Sequence, residues 1–179
     1  AGGACIAGVF GGLNSGVTEE TKNVFLESAY FNPVSVRKTA RRHGLNTDAS
    51  FRFERGCDPN NTLYILKFAS LLIKEVAGGT ISSEVFDNYP CAVEPFKVEL
   101  TFSKINSLIG KEIDKNEVLT ILKGLEIEVL KQDGDSLSLA VPSYRVDVQR
   151  DVDVIEDILR IYGYDNVEAG SSLKSSIAY

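Results

Sequence analysis

Gly11-Gly12, Glu27 and the run Thr47-Asp48-Ala49 are the first residues along this chain whose types suit chemistry. Paired glycines let a substrate approach the backbone, a carboxylate binds an ammonium or a phenol, and a threonine or backbone group can hold a water for attack on an ester. They lie far apart in sequence, so joint use requires the fold to converge them. The alternative is that Glu27 pairs with a buried arginine and the glycines only turn the chain.

A second group is basic. Arg37, Lys38, Arg41, Arg42, Arg52 and Arg55 are opposed locally only by Asp48 and Glu54, so a polyanion would be drawn to residues 37–55. In RRHGLNTDASFRFERG, residues 41–56, the interleaving of arginine and phenylalanine suits phosphate contact and base stacking. The same arginines would equally brace the loop between two helices by bonding Asp48 and Glu54. His43 reads as a helix-end residue that complements the dipole rather than as a base.

A third group is acidic. In RVDVQRDVDVIEDILR, residues 145–160, Asp153, Glu156 and Asp157 stand at i, i+3 and i+4 of an expected helix, and Asp147 in the approach could fold over them. Hard oxygen donors of this kind suit Mg2+. Acids in a first helical turn also complement the dipole with no ion at all, and Asp151 would serve as the N-cap.

Composition sets limits around these groups. With 44% hydrophobic residues in 179, the chain can bury a core as one domain or two small ones. It contains no bilayer-length apolar run and no signal-like start, which points to a cytoplasmic protein without membrane contact. Cys5, Cys57 and Cys91 lack paired spacing, so free thiols are expected rather than a disulfide or zinc site. The net charge of −6 is uneven: residues 1–90 carry nine Lys/Arg and nine Asp/Glu, and residues 91–179 carry ten and sixteen.

The elements that must position these groups read as α+β. Cys5–Phe10 is a short strand running into the glycine pair, and Asn23–Phe31 is a second strand that places Glu27 on an apolar face. Asn32-Pro33 opens a helix that Gly44 closes. Asp58-Pro59 opens another, a core helix with Leu63, Leu66, Ala69, Leu72, Ile73 and Val76 on one stripe. NYPCAVEP, residues 88–95, is the linker, giving domains at 1–90 and 91–168 and a tail at 169–179. The second domain begins with a strand at Lys97–Phe102 and a helix capped by Ser103. A helix with the capping box Asp114…Glu117 follows, then a hairpin turning at residues 132–135. Two helices followed by a hairpin are winged-helix-like, but the acidic surroundings oppose DNA binding. A last helix, about Asp151 to Tyr162, turns Val152, Ile155, Leu159 and Tyr162 inward.

Residues 8–59, including LESAYFNP, RKTARRHGLNTDAS and FRFERGCDP, closely resemble the beta subunit of bacterial-type phenylalanine–tRNA ligase, in the C-terminal half of its editing domain. Residues 96–167, with INSLIG, ILKGLEIEV, VPSYRVDV and VDVIEDILRIYGYDNV, resemble the B-five domain that follows it. The opening Ala1–Ala4 departs from the family pattern.

The resemblance implies an enzyme that charges tRNA(Phe) with phenylalanine using ATP, works as an alpha2beta2 tetramer with an alpha subunit, and hydrolyses tyrosine mischarged on that tRNA. It implies that Glu27 contacts the tyrosine hydroxyl, that Gly11 and Gly12 line the editing pocket, and that Thr47 and Ala49 shape it. Asp147, Asp153, Glu156 and Asp157 would be Mg2+ ligands near the alpha-subunit interface, Asp157 being one methylene shorter than the family's usual glutamate. No ATP-binding motif is present and the editing domain is incomplete, so the chain alone is expected to be inactive. The alternative is a tRNA- or nucleic-acid-binding module without catalysis.

Overall fold

The computed structural model describes residues 3–168, and the chain divides into two units between Glu94 and Pro95. In the first, β1 (Cys5–Ile6) pairs antiparallel with β2 (Phe10–Gly11). The single strand expected over Cys5–Phe10 is thus a tight hairpin. Its turn rests on Gly8, at φ +69, where a Cβ would stand 2.8 Å from the Phe31 ring. No other residue type fits that backbone and that space.

Helix α1 (Pro33–His43) has the expected ends: the Asn32 side chain accepts from the Ser35 amide at 3.0 Å, and Gly44 closes it at φ 64. A short helix not foreseen from the sequence, α2 (Asp48–Phe53), follows with Thr47 as its N-cap. Val9, Val36 and Ala40 are buried together, with Ile6, Phe31, Leu45 and Phe53 packed around them. Phe31 meets Phe53 edge to face at 4.9 Å between ring centroids.

Two expectations fail in this unit. Asn23–Phe31 forms no strand, because among the described residues no neighbouring strand supplies a ladder for it. Helix α3 (Thr62–Ala77) has an apolar stripe but buries none of its residues, and Val76 is 79% exposed. It is not a core helix among the described residues: Leu63, Leu66 and Ala69 are only half-buried, and Leu72, Ile73 and Val76 are exposed. It also starts later than Asp58-Pro59, because the Asp58 carboxylate accepts from the Asn60 amide at 2.9 Å and holds those residues in a turn.

In the second unit, β3 (Phe96–Thr101), β4 (Glu128–Asp133) and β5 (Ser136–Val141) form an antiparallel sheet in the order β3-β5-β4. The β4–β5 hairpin turns tightly through Gly134, at φ 59, leaving Asp133 paired with Ser136. Val98 pairs with Leu139 and Leu100 with Leu137, so the alternation places these four on the buried face.

Helices α4 (Phe102–Ile109), α5 (Lys115–Gly124) and α6 (Asp151–Tyr162) cover that face, and a 3-10 turn, Tyr164–Asn166, follows α6. The cap of α4 is Thr101, whose hydroxyl accepts from the Lys104 amide at 3.1 Å; Ser103, the expected cap, lies inside the helix. Buried Phe102 draws the helix start back towards the strand. Asp114 caps α5 through the amides of Asn116 and Glu117.

Helix α6 turns most of the expected face inward, with Val152 the exception. Val154, Ile155 and Ile158 are buried, whereas Val152 is exposed. Leu159 and Tyr162 still pack against the core. Among the described residues no helix is long and apolar enough to cross a membrane.

The two units therefore differ in how much of their own apolar surface they bury. Leu122 in α5 is fully buried, so Leu122→Ala is expected to cost about 2–5 kcal/mol by removing contacts and leaving a cavity. Val76→Ala on the exposed stripe of α3 is expected to change stability by less than about 0.5 kcal/mol. Urea unfolding of the two variants beside the parent checks both values.

Candidate functional site

Thr47 is the hinge of the first group. Its hydroxyl donates to the Val9 carbonyl at 2.5 Å and accepts from the Ser50 amide at 3.0 Å, while the Ser50 hydroxyl accepts from the Thr47 amide at 3.0 Å. This reciprocal cap starts α2 and ties it to the backbone two residues before Gly11. Ser50, which the sequence reading passed over, is buried at the centre of the arrangement. Its signal was available in the T-x-x-S spacing.

Gly12 is required by crowding rather than by its dihedral. A Cβ there would fall 1.9 Å from the Ala4 carbonyl oxygen, and the Ser15 hydroxyl bonds both Ala4 and Gly12. Gly11 lies open, with nothing within 4 Å of where its side chain would be. The structure thus brings Thr47 close to the glycine turn. Ala49 is exposed on α2, and Glu27 is exposed on the irregular segment rather than set in an apolar face.

A groove of about 470 Å³ lies elsewhere in this unit, between Val24–Leu26, the C-terminal half of α3 and residues 78–86. Phe25, Leu66, Ile73, Val85 and Phe86 line it, and none of the expected pocket residues does.

The basic group is solvent-facing. Helix α1 buries Val36 and Ala40 and presents Arg37, Lys38, Arg41 and Arg42 outward; Arg52 is exposed on α2. Among the described residues none of these five makes an ion pair. Arg55 differs: its guanidinium lies 3.5 Å from the Phe51 ring centroid, donates to the Phe51 carbonyl at 2.7 Å and bonds Glu54 at 3.1 Å. Bracing therefore holds for Arg55 and Glu54, and five cations stay available to an outside anion.

Three of the four acids are paired internally. Asp157, only 6% exposed on α6, bonds Arg145 at 2.8 Å, and Arg145 also donates to the Leu125 carbonyl at 3.4 Å. Asp153 accepts from both the Nε and Nη2 of Arg150 and from the backbone amides of Gln149 and Arg150. Glu156 pairs with Arg160 at 2.7 Å. Arg150, not Asp151, occupies the N-cap position, and Asp151 is bonded by Lys104. Asp147 is exposed on the approach to α6.

These pairs are unequal. Removing one partner from a buried pair costs about 3–5 kcal/mol, and an exposed pair contributes about 0–1 kcal/mol. Arg145–Asp157, with side chains 19% and 8% exposed, belongs near the first case, and Arg160–Glu156, at 59% and 61%, to the second.

Residues 1–78 match the B3/4 domain and residues 98–164 match the tRNA synthetase B5 domain. Phenylalanine–tRNA ligase beta subunits align with almost the whole chain. That of Bacteroides fragilis (strain YCH46) is 64% identical over 173 residues, covering 97% of this chain and 21% of the relative. Those of Porphyromonas gingivalis and Fusobacterium nucleatum are 53% and 44% identical, covering 98% and 92% of the chain. This chain belongs to the phenylalanine–tRNA ligase beta-subunit family. It spans about one fifth of the length of the curated relatives it matches. The B3/4 match begins at residue 1, so the opening, expected to depart from the family, lies within the matched region.

Within this beta-subunit segment, Asp153 has the most perturbed acid. Its bonds from the Arg150 guanidinium, then from the Arg150 and Gln149 amides, hold its pKa at about 2, against an ordinary 3.8. A carboxyl whose folded pKa is lowered stabilises the fold above its unfolded pKa, and that contribution fades as pH falls through the folded value. The second unit is therefore expected to lose stability between about pH 4 and pH 2, and Asp153→Asn to flatten that limb, as read by thermal unfolding across this range.

Proposed function

We propose that this chain forms part of the proofreading and scaffolding region of a phenylalanine–tRNA ligase. In this reading the complete enzyme is a cytoplasmic alpha2beta2 tetramer that charges tRNA(Phe) with phenylalanine using ATP and Mg2+. Its beta subunit hydrolyses tyrosine mischarged on tRNA(Phe), a step needed because an apolar pocket discriminates weakly against one added hydroxyl. Gly11 and Gly12 would line the editing pocket, Thr47 and Ala49 shape it, and Glu27 receive the tyrosine hydroxyl. The tie from Thr47 to Val9 supports that assignment by fixing α2 against the glycine turn.

The observation that carries tRNA contact is the set of exposed cations Arg37, Lys38, Arg41, Arg42 and Arg52, which make no ion pair among the described residues. Each is a solvent-exposed charge, so a phosphate gains its attraction without the breaking of an ion pair among the described residues. The B5 segment, where the acids lie, would face the alpha subunit, and its acidic surface opposes nucleic acid. A second reading, a tRNA-binding module with no part in hydrolysis, draws on the same cations.

Fluorescence-anisotropy titration of tRNA(Phe) should show affinity falling steeply with salt. Arg41→Ala combined with Arg42→Ala should weaken binding and reduce the salt slope by about 2. Binding that is indifferent to both would contradict the tRNA contact. The chain alone should not deacylate Tyr-tRNA(Phe). In the complete beta subunit with its alpha partner, Glu27→Ala should abolish that hydrolysis, and unchanged turnover would favour the module reading.

A further inference from the structure

The acids that the family resemblance makes Mg2+ ligands do not fit a divalent cation in the arrangement this chain gives them. Mg2+ requires about six oxygens in an octahedron at about 2.0–2.1 Å and gives up its own water reluctantly. Each candidate oxygen must therefore be free to turn its lone pair towards one point. Among the described residues no three carboxylate, imidazole or thiol groups converge in that way.

The reason is visible in their partners. Asp153 spends Oδ2 on the Gln149 amide at 3.2 Å, the Arg150 amide at 2.9 Å and Arg150 Nε at 3.1 Å, and Oδ1 on Arg150 Nη2 at 2.7 Å. Withdrawing it for a metal would undo the start of α6. Asp157 gives Oδ2 to Arg145 at 2.8 Å, while Arg160 stands 3.9 Å from its Oδ1 and bonds Glu156 at 2.7 Å. Asp147, Asp153, Glu156 and Asp157 carry four negative charges, and Arg145, Arg150 and Arg160 return three, so little field remains to attract a cation.

We infer that these arginines close the acidic face of α6 to divalent cations in this chain and make it an ion-pair clasp. The clasp holds residues 142–150 between two elements. Arg145 reaches Asp157 on α6 and the Leu125 carbonyl at the end of α5. The neighbouring Tyr144 hydroxyl donates to Glu126, a non-glycine residue at φ 59 that follows α5, at 2.6 Å. One loop thereby fixes the end of α5 to the face of α6. The inference concerns this chain's own carboxylates and does not depend on the proposed tRNA reaction.

Two measurements on the full chain test it. Thermal unfolding in about 5 mM Mg2+ and in EDTA at matched ionic strength should give melting temperatures within about 1 °C, since a ligand that does not bind the folded state does not shift it. Mn2+ should leave the backbone amide signals of residues 147–158 unbroadened. A saturable Mg2+-dependent rise in melting temperature, or broadening centred on these residues, overturns the inference. The variant combining Arg150→Ala with Arg160→Ala frees Asp153 Oδ1 and Glu156, while the backbone amides of residues 149 and 150 stay on Asp153 Oδ2 and the buried Arg145 pair stays in place. Once circular dichroism shows it folded, it should gain Mn2+ broadening at residues 153–157. A folded variant without that gain contradicts the assignment of closure to the arginines.

Discussion

Asp157 is a carboxylate placed on the buried side of a helix, and much of the second unit is arranged around making that placement tolerable. An ionised carboxylate removed from water without a partner is costly enough to forbid the packing of Val154, Ile155 and Ile158 beside it. Arg145 supplies the partner at 2.8 Å. To do so it must arrive from the loop after β5, which then lies across the end of α5. The loop and the seating of α6 thus follow from one pairing.

The first unit depends on a different balance. Its small core of Val9, Val36 and Ala40 holds the hairpin, α1 and α2 together, while α3 fully buries none of its apolar stripe among the described residues. What it positions well is polar. The Thr47 cap fixes α2 to the glycine turn, and α1 uses its buried face to orient four cations outward. Charge and burial are divided along the chain: exposed cations on a thin core, and mostly paired acids on a thick one.

Local chemistry in the sequence foretold the parts that local chemistry governs. The Asn32 and Gly44 caps, the Asp114 cap and the span of α6 all depend on residues within one turn of each other, and all are present. The family was readable from long motifs such as FRFERGCDP, and the comparisons agree with it. Tertiary choices were less visible. A stripe at helical spacing predicts full burial only if something covers all of it, and among the described residues that of α3 is covered only in part. Alternation over residues 23–31 predicts a strand only if a ladder is available. On α6 the expectation fails only at Val152, because Val152 and Val154 both fit a helical period and the decision between them comes from the sheet beneath. The acids were identified, but their arginine partners were not. Arg145 meets Asp157 across twelve residues, a spacing that no helical or strand rule encodes.

The most direct test of the clasp is a double-mutant cycle between Arg145→Met and Asp157→Leu, measured by urea unfolding in EDTA and again with Mg2+. A buried pair on which the packing depends should show a coupling of about 2 kcal/mol or more, unchanged by the cation. Effects that add to within about 0.3–0.5 kcal/mol, or a coupling that appears only with Mg2+, would contradict the account.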